Sequence, residues 1–196
     1  MSTDASEATT TAEADDGDEL AALRARVEEL EEQLAAARDD DADDRKRVTI
    51  ISTKGTLDMA YPPLILASTA AAFGWDVTVF HTFWGLDILH REKGRDLKLS
   101  SVGNPSMPVP NAVAALPGMD AMTTRMMRKR IDENGTATIK ELVEVCLETG
   151  VELQACQMTM DLLDYDESEF HDGVTAGVGA ATALERMADA DIQLLV

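Results

Sequence analysis

Apolar residues fall along this chain in two rhythms. Near the N-terminus Leu20, Leu23, Val27, Leu30, Leu34 and Ala37 recur at alternating steps of three and four, flanked by Glu28, Glu29, Glu31 and Glu32. That is the a/d seam of a heptad helix over residues 19–38, whose stripe needs a partner. With fewer than three heptads it is marginal alone, so an oligomer clip and a surface-packed helix are both open readings. Residues 1–18 before it are Ser, Thr, Asp and Glu with nothing to bury, which predicts a disordered acidic tail. The acidic stretch that follows places five aspartates at the unfavourable end of the helix dipole and predicts a linker over 39–46.

From Val48 the rhythm changes. Val48-Thr49-Ile50-Ile51-Ser52 is a β-branched run of strand type, residues 58–73 are rich in Ala and Leu and stop at Gly74, and 76–81 form the next strand pattern. Strand, helix and strand in this space predict a βαβ unit and a parallel sheet. A short helix over 86–91 and a weak strand or extended segment over 97–102 are expected next, then a Pro-punctuated loop from Gly103 to Gly118. Helices follow over 119–132, with Met119, Met122 and Met126 in one stripe, and over 139–149, with Ile139, Leu142, Val143 and Cys146 at core spacing. Residues 151–156 read as a strand, 158–163 as a short helix, 173–188 as a small-residue helix and 192–196 as a last strand. The alternation defines a doubly wound α/β domain over 47–196.

Charge sharpens this division. The chain carries 37 Asp+Glu against 17 Lys+Arg, a formal charge of −20, yet residues 1–44 alone hold 16 acids and 3 bases. An excess of this sign argues against nucleic-acid backbones and against anionic lipid surfaces. It is read as a solvated, self-repelling shell of the kind that keeps a protein soluble in strong salt, as in halophiles. The acidic N-terminus lacks the basic, apolar character of a leader, and the uncharged stretches are too short or too rich in proline to span a bilayer. A cytoplasmic protein without stable membrane insertion is expected.

Two cysteines, Cys146 and Cys156, do not make a disulfide framework. Cys146 lies on the apolar stripe of its helix and reads as an inert buried thiol. Cys156 closes a strand before a helix, at the sheet edge where open α/β folds place their sites. Free amides and the helix dipole there favour a thiolate. Lys54, just after the first strand, and His81, at the end of the second, belong to the same edge and are expected as supporting residues; alone, each reads as a solvated turn lysine and a rim histidine. Cys156 has no C-x-x-C partner, and Leu153 occupies the position where a peroxidatic T-x-x-C site has threonine. The three histidines and two cysteines show no metal-ligand spacing, and Gly173, Gly177 and Gly179 do not form G-x-G-x-x-G and are read as close helix packing. No metal and no cofactor is expected. The basic cluster Arg125, Arg128, Lys129 and Arg130 sits in the last turns of a helix, where cations are favoured anyway.

Four runs in this order resemble the DsrE/DsrF/DrsH-like family, whose members are often labelled peroxiredoxin-family proteins: Lys54-Gly55-Thr56-Leu57-Asp58, Phe80-His81-Thr82-Phe83-Trp84-Gly85-Leu86, Met107-Pro108-Val109-Pro110-Asn111 with Leu116-Pro117-Gly118-Met119, and Ala155-Cys156-Gln157-Met158-Thr159-Met160-Asp161. The resemblance covers about residues 47–196. It implies a flavodoxin-like fold, homo-oligomers, and sulfur carried as a persulfide on the cysteine matching Cys156. One departure stands out: after Met-x-Met-Asp the family tends to have a glycine where this chain has Asp164 followed by Tyr165.

Three functions are weighed on these grounds. The first is a sulfur carrier, or sulfurtransferase-like protein, holding sulfane sulfur on Cys156 and relaying it between protein thiols that act as donor and acceptor. The second is thiol-dependent redox or peroxide reduction through Cys156, with Cys146 as the resolving thiol within the chain. The third is a non-catalytic oligomeric binding module built on the heptad helix and the methionine faces.

Overall fold

The computed structural model describes residues 24–31, 45–100 and 118–196. Residues 24–31 are helical, within the span of the heptad pattern. The expected tail, linker, remaining heptad positions and Pro-punctuated loop lie outside the described residues. The chain divides into two units, residues 1–45 and 46–196, and the second contains the sheet.

Five parallel strands form that sheet: β1 (Arg47–Ser52), β2 (Asp76–His81), β3 (Glu152–Cys156), β4 (Thr175–Val178) and β5 (Ile192–Leu195), in the spatial order β4-β3-β2-β1-β5. The chain steps outward from β1 to β4, then crosses back so that β5 pairs with the other side of β1. Helix α1 (Leu57–Ala72) joins β1 to β2, α2 (Met119–Glu133) and α3 (Ile139–Glu148) join β2 to β3, α4 (Gln157–Leu163) joins β3 to β4, and α5 (Ala180–Ala188) joins β4 to β5. Right-handed crossovers require the reversed last step to put α5 on the opposite face from α1. The contacts agree: α1 packs on α3, while Thr49 Oγ1 on β1 bonds the Arg186 carbonyl of α5. This is the flavodoxin-like α/β arrangement.

Strand pleating decides which residues meet. Side chains alternate between faces, and register partners in parallel strands share a face. Ile50, Val79 and Leu153 align across three strands, are fully buried, and pack with Leu64 of α1 and Val143 of α3 in one core. Thr49, Thr78 and Glu152 align on the α5 face, where Glu152 meets Arg186 at 3.3 Å.

Helices α1 and α3 end alike. Gly74 and Gly150 adopt φ of 78° and 82°. The next residues then return amide bonds, Trp75 to the Ala70 carbonyl and Val151 to the Cys146 carbonyl. Only a glycine enters this left-handed position without penalty, so each stops its helix and feeds the following strand.

Several expectations are corrected. Residues 173–188 are not one helix: β4 occupies Thr175–Val178, and α5 starts at Ala180. Gly173 and Gly177 have φ of 97° and 76° and precede or interrupt that edge strand, so they serve backbone turns and not helix packing. The predicted 86–91 helix is a 3-10 turn over Phe83–Ile88, and of the two readings of 97–102 the strand is not formed over the described residues 97–100. Among the described residues, no helix is long and apolar enough to cross a membrane.

Candidate functional site

Cys156 is the last residue of β3 and the N-cap of α4. Its backbone is extended, with φ −67° and ψ 118°, so the chain turns into the helix immediately after the thiol. The residue is buried, at 4% exposure, yet exposed apolar side chains stand around it. Met158 and Leu162 lie one turn apart on the outer face of α4, and Phe83 and Trp84 protrude from the 3-10 turn after β2.

The 3-10 turn is held to α4 by two bonds. Thr82 Oγ1 and Thr159 Oγ1 are 3.1 Å apart, and the Phe83 N–H donates to Thr159 Oγ1 at 3.1 Å. Phe83 has φ 49°, a left-handed conformation that is unusual for a bulky residue and that gathers at functional sites. Gly85 lets the turn lie on β1: a Cβ there would fall 2.4 Å from the Ser52 carbonyl oxygen.

Burial pushes the Cys156 thiol up, but hydrogen bonding outweighs it. The Thr159 hydroxyl and amide, the Thr82 hydroxyl and the Met158 amide all stabilise the sulfur anion, and the net shift is downward from the ordinary thiol value. No side-chain capping bond forms at Cys156. Thr82 and Thr159 were not among the residues expected from sequence. A legible signal existed, in that threonine falls three residues after a cysteine that caps a helix; only the position three residues before it had been weighed.

Lys54 is exposed in the loop after β1, and β2 lies between that strand and β3. Adjacent strands are about 4.8 Å apart, so Lys54 sits at the same sheet edge two strands from Cys156. His81 is fully buried and pairs in register with Ala155 and Ser52. Pleating therefore directs it to the α1 face, whereas Thr82 and Cys156 share the other. Burial lowers the imidazole to about 4, with weak opposite pulls from the Val79 and Gln154 backbone. Neither ring nitrogen makes a hydrogen bond of good geometry. His81 is thus a neutral group beside the site, not a cation at the sulfur.

Cys146 is fully buried on α3, and its Sγ donates to the Leu64 carbonyl at 3.5 Å. Burial raises it to about 11. Two members of the basic cluster on α2 are engaged locally: Arg128 bonds Asp96 and the Leu97 carbonyl, and Lys129 pairs with Glu133. A cavity of about 740 Å³ beside Arg128, Arg95 and Tyr61 shares no lining residue with the Cys156 surroundings. Among the described residues, no group of three His, Cys, Asp or Glu comes together as a metal site.

Asp164 occupies the turn after α4 with φ 56°, the conformation for which glycine is the natural residue. The turn is kept all the same: the Tyr165 N–H returns to the Met160 carbonyl at 3.0 Å. The Tyr165 hydroxyl then bonds Asp87 and receives Lys93, and its ring packs edge-on against His90 and Phe170. These contacts tie the end of α4 to the 3-10 turn that carries Phe83.

Fold and site together define a parallel α/β protein with one cysteine at the carboxyl edge of its sheet, set among hydrogen-bond donors. The chain belongs to the DsrE/DsrF/DrsH-like family, whose sequence model matches residues 44–195. It is 47% identical over 161 residues to the sulfur carrier protein DsrE2 of Allochromatium vinosum, an alignment covering 78% of this chain and 99% of that protein. It is 37% identical over 144 residues to the uncharacterized protein YrkE of Bacillus subtilis, covering 70% and 90%. Among solved structures, ychN of E. coli matches with a TM-score of 0.47 at 11% identity, over 77% of this chain and 99% of that one.

Proposed function

We propose that this protein is a sulfur carrier in which Cys156 holds sulfane sulfur as a persulfide. The observation that carries this reading is the contrast in surroundings: one thiol is among donors at the sheet edge, and the other is sealed in the core. The relationship to a sulfur carrier at 47% identity supports the same chemistry. Cys156 thiolate attacks the outer sulfur of a persulfide or polysulfide donor. The donor S–S bond breaks, its electron pair leaves with the departing thiolate, and a Cys156–S–S⁻ group remains. An acceptor thiolate then attacks that outer sulfur, and Cys156 thiolate is released unchanged. No external oxidant or reductant is consumed.

The apolar rim of Phe83, Trp84, Met158 and Leu162 supports proteins as donor and acceptor, because such a surface is hidden on docking. The peroxide-reducing route has less support. It needs a resolving thiol, and Cys146 sits fully buried under α1 while the pleat of β3 turns Cys156 toward the other face of the sheet. Lys54 enters as an exposed cation for steering anionic donors. Exposed Ile65 and Leu66 on α1, Phe73 at its C-cap and Met126 on α2 favour homo-oligomers over monomers. A cytoplasmic setting fits two free cysteines.

The test is uptake and release. Protein incubated with polysulfide and freed of excess reagent should give thiocyanate on treatment with cyanide and should pass its sulfur to an added thiol. Cys156→Ser should do neither, and Cys146→Ala should do both. Equal loading of Cys156→Ser and the parent protein would refute the assignment.

A further inference from the structure

Thr82 follows β2 and Thr159 is the third residue of α4, so the pairing of β2 with β3 brings together two hydroxyls from distant parts of the chain. Each hydroxyl owns a single proton. The two oxygens lie 3.1 Å apart, and the bond between them consumes one of the two protons, whichever side donates. The Phe83 amide fills an acceptor position on Thr159 from a third direction and offers no acceptor in return. Thr159 is fully buried, so no water competes at its hydroxyl. One O–H therefore remains, and Cys156, the N-cap residue three positions before Thr159, carries the sulfur whose anionic form both hydroxyls favour. A neutral thiol would add another donor to a cluster already rich in donors. An anionic sulfur accepts what the cluster supplies.

We propose that Thr159 is a positioning residue for Cys156: its hydroxyl, fixed by the Phe83 amide and shared with Thr82, holds the sulfur as an anion oriented for attack. Phe83 keeps its left-handed φ of 49° because the turn must aim that amide at Thr159. The proton lost on ionisation goes to solvent. The inference rests on Cys156 being the sulfur-bearing residue, and it identifies what prepares that residue before sulfur arrives.

The experiment follows the pH dependence of iodoacetamide alkylation in a Cys146→Ala background, where one thiol remains. Thr159→Val should move the Cys156 titration upward by on the order of one pH unit, about tenfold less thiolate below the midpoint. Thr159→Ser, which keeps the hydroxyl, should restore the parent midpoint. Thr82→Val sits at a half-buried position and should shift the midpoint in the same direction by a smaller amount. It also provides the reading if Thr159→Val fails to fold by circular dichroism. An unchanged midpoint in a folded Thr159→Val protein, or in Thr82→Val if that is the folded variant, overturns the inference. Polysulfide loading is measured separately on each protein. An unmoved midpoint with loading intact removes the role of Thr159 alone, whereas the predicted shift in a parent that takes up no sulfur removes the carrier reading alone.

Discussion

The two cysteines of this chain stand ten residues apart in sequence and have opposite chemistry. Cys146 lies in the last turn of α3 and faces α1, where its S–H donates to the Leu64 carbonyl; burial carries it to about 11, against a small opposing pull from the Ser68 amide. Cys156 is almost as inaccessible, but its neighbours are hydroxyls and amides that donate, and it moves down. Burial alone would have raised both. What separates them is how far donors offset burial: the Ser68 amide alone does not do so at Cys146, whereas two hydroxyls and two amides do at Cys156.

The largest effect expected from this contrast is in selectivity. With a value near 11, Cys146 is thiolate in roughly one molecule per thousand at pH 8. Limiting alkylation of the native protein should therefore label Cys156 and spare Cys146, while the denatured protein should label at both, as read by peptide mass mapping. Comparable native labelling of the two would break the comparison.

A second way to break it is to open the core around Cys146. Leu64 is fully buried and its carbonyl receives the Cys146 proton. Leu64→Ala should cost about 2–5 kcal/mol in urea unfolding and should raise native labelling of Cys146, because local opening exposes it more often. Labelling of Cys156 should change far less.

His81 extends the comparison to a third buried group, whose preferred neutral form is enforced by desolvation. Its folded value of about 4 lies below the ordinary 6.5, so protonation favours the unfolded chain. Stability from this group is complete above about pH 6.5 and is lost as pH falls toward 4, about 3 kcal/mol in all. Denaturation midpoints should fall across that window in the parent protein, and His81→Asn should flatten that part of the curve.

The smallest effect sharpens the account of the turn that braces the site. Asp164 takes a left-handed conformation that glycine enters freely, so Asp164→Gly should stabilise the fold by about 0.5–1 kcal/mol in thermal unfolding. The Cys156 titration should not move, since the Tyr165 contacts remain.

The legibility of these features in the sequence followed the physics that produced each one. The β1–α1–β2 unit was readable because Val48 to Ile51 are β-branched and Gly74 punctuates a long apolar helix. Cys146 was readable because a helical stripe reports burial directly. Strand β4 was not: Thr-Ala-Gly-Val carries neither alternation nor β-branched density, and its strand state comes from pairing with β3 at the sheet edge. The 3-10 turn at Phe83 was hidden for a related reason, since the φ of Phe83 is held by a bond to a residue 76 positions away. Thr82 and Thr159 belong to the same class. Their types and positions were visible, but their contact depends on the β2–β3 register, which no local pattern specifies. The expectation that Lys54, His81 and Cys156 belong to one edge used topology correctly as far as topology goes; pleating then sends His81 to the opposite face.

The most direct measurement is intact mass spectrometry of the folded protein after incubation with polysulfide and removal of excess reagent, on the parent, Cys146→Ala and Cys156→Ser proteins. The account predicts a mass increase of one or more sulfur atoms in the parent and in Cys146→Ala, reversed by a thiol reductant, and no increase in Cys156→Ser. A sulfur adduct that persists in Cys156→Ser, or one that disappears only in Cys146→Ala, would contradict it.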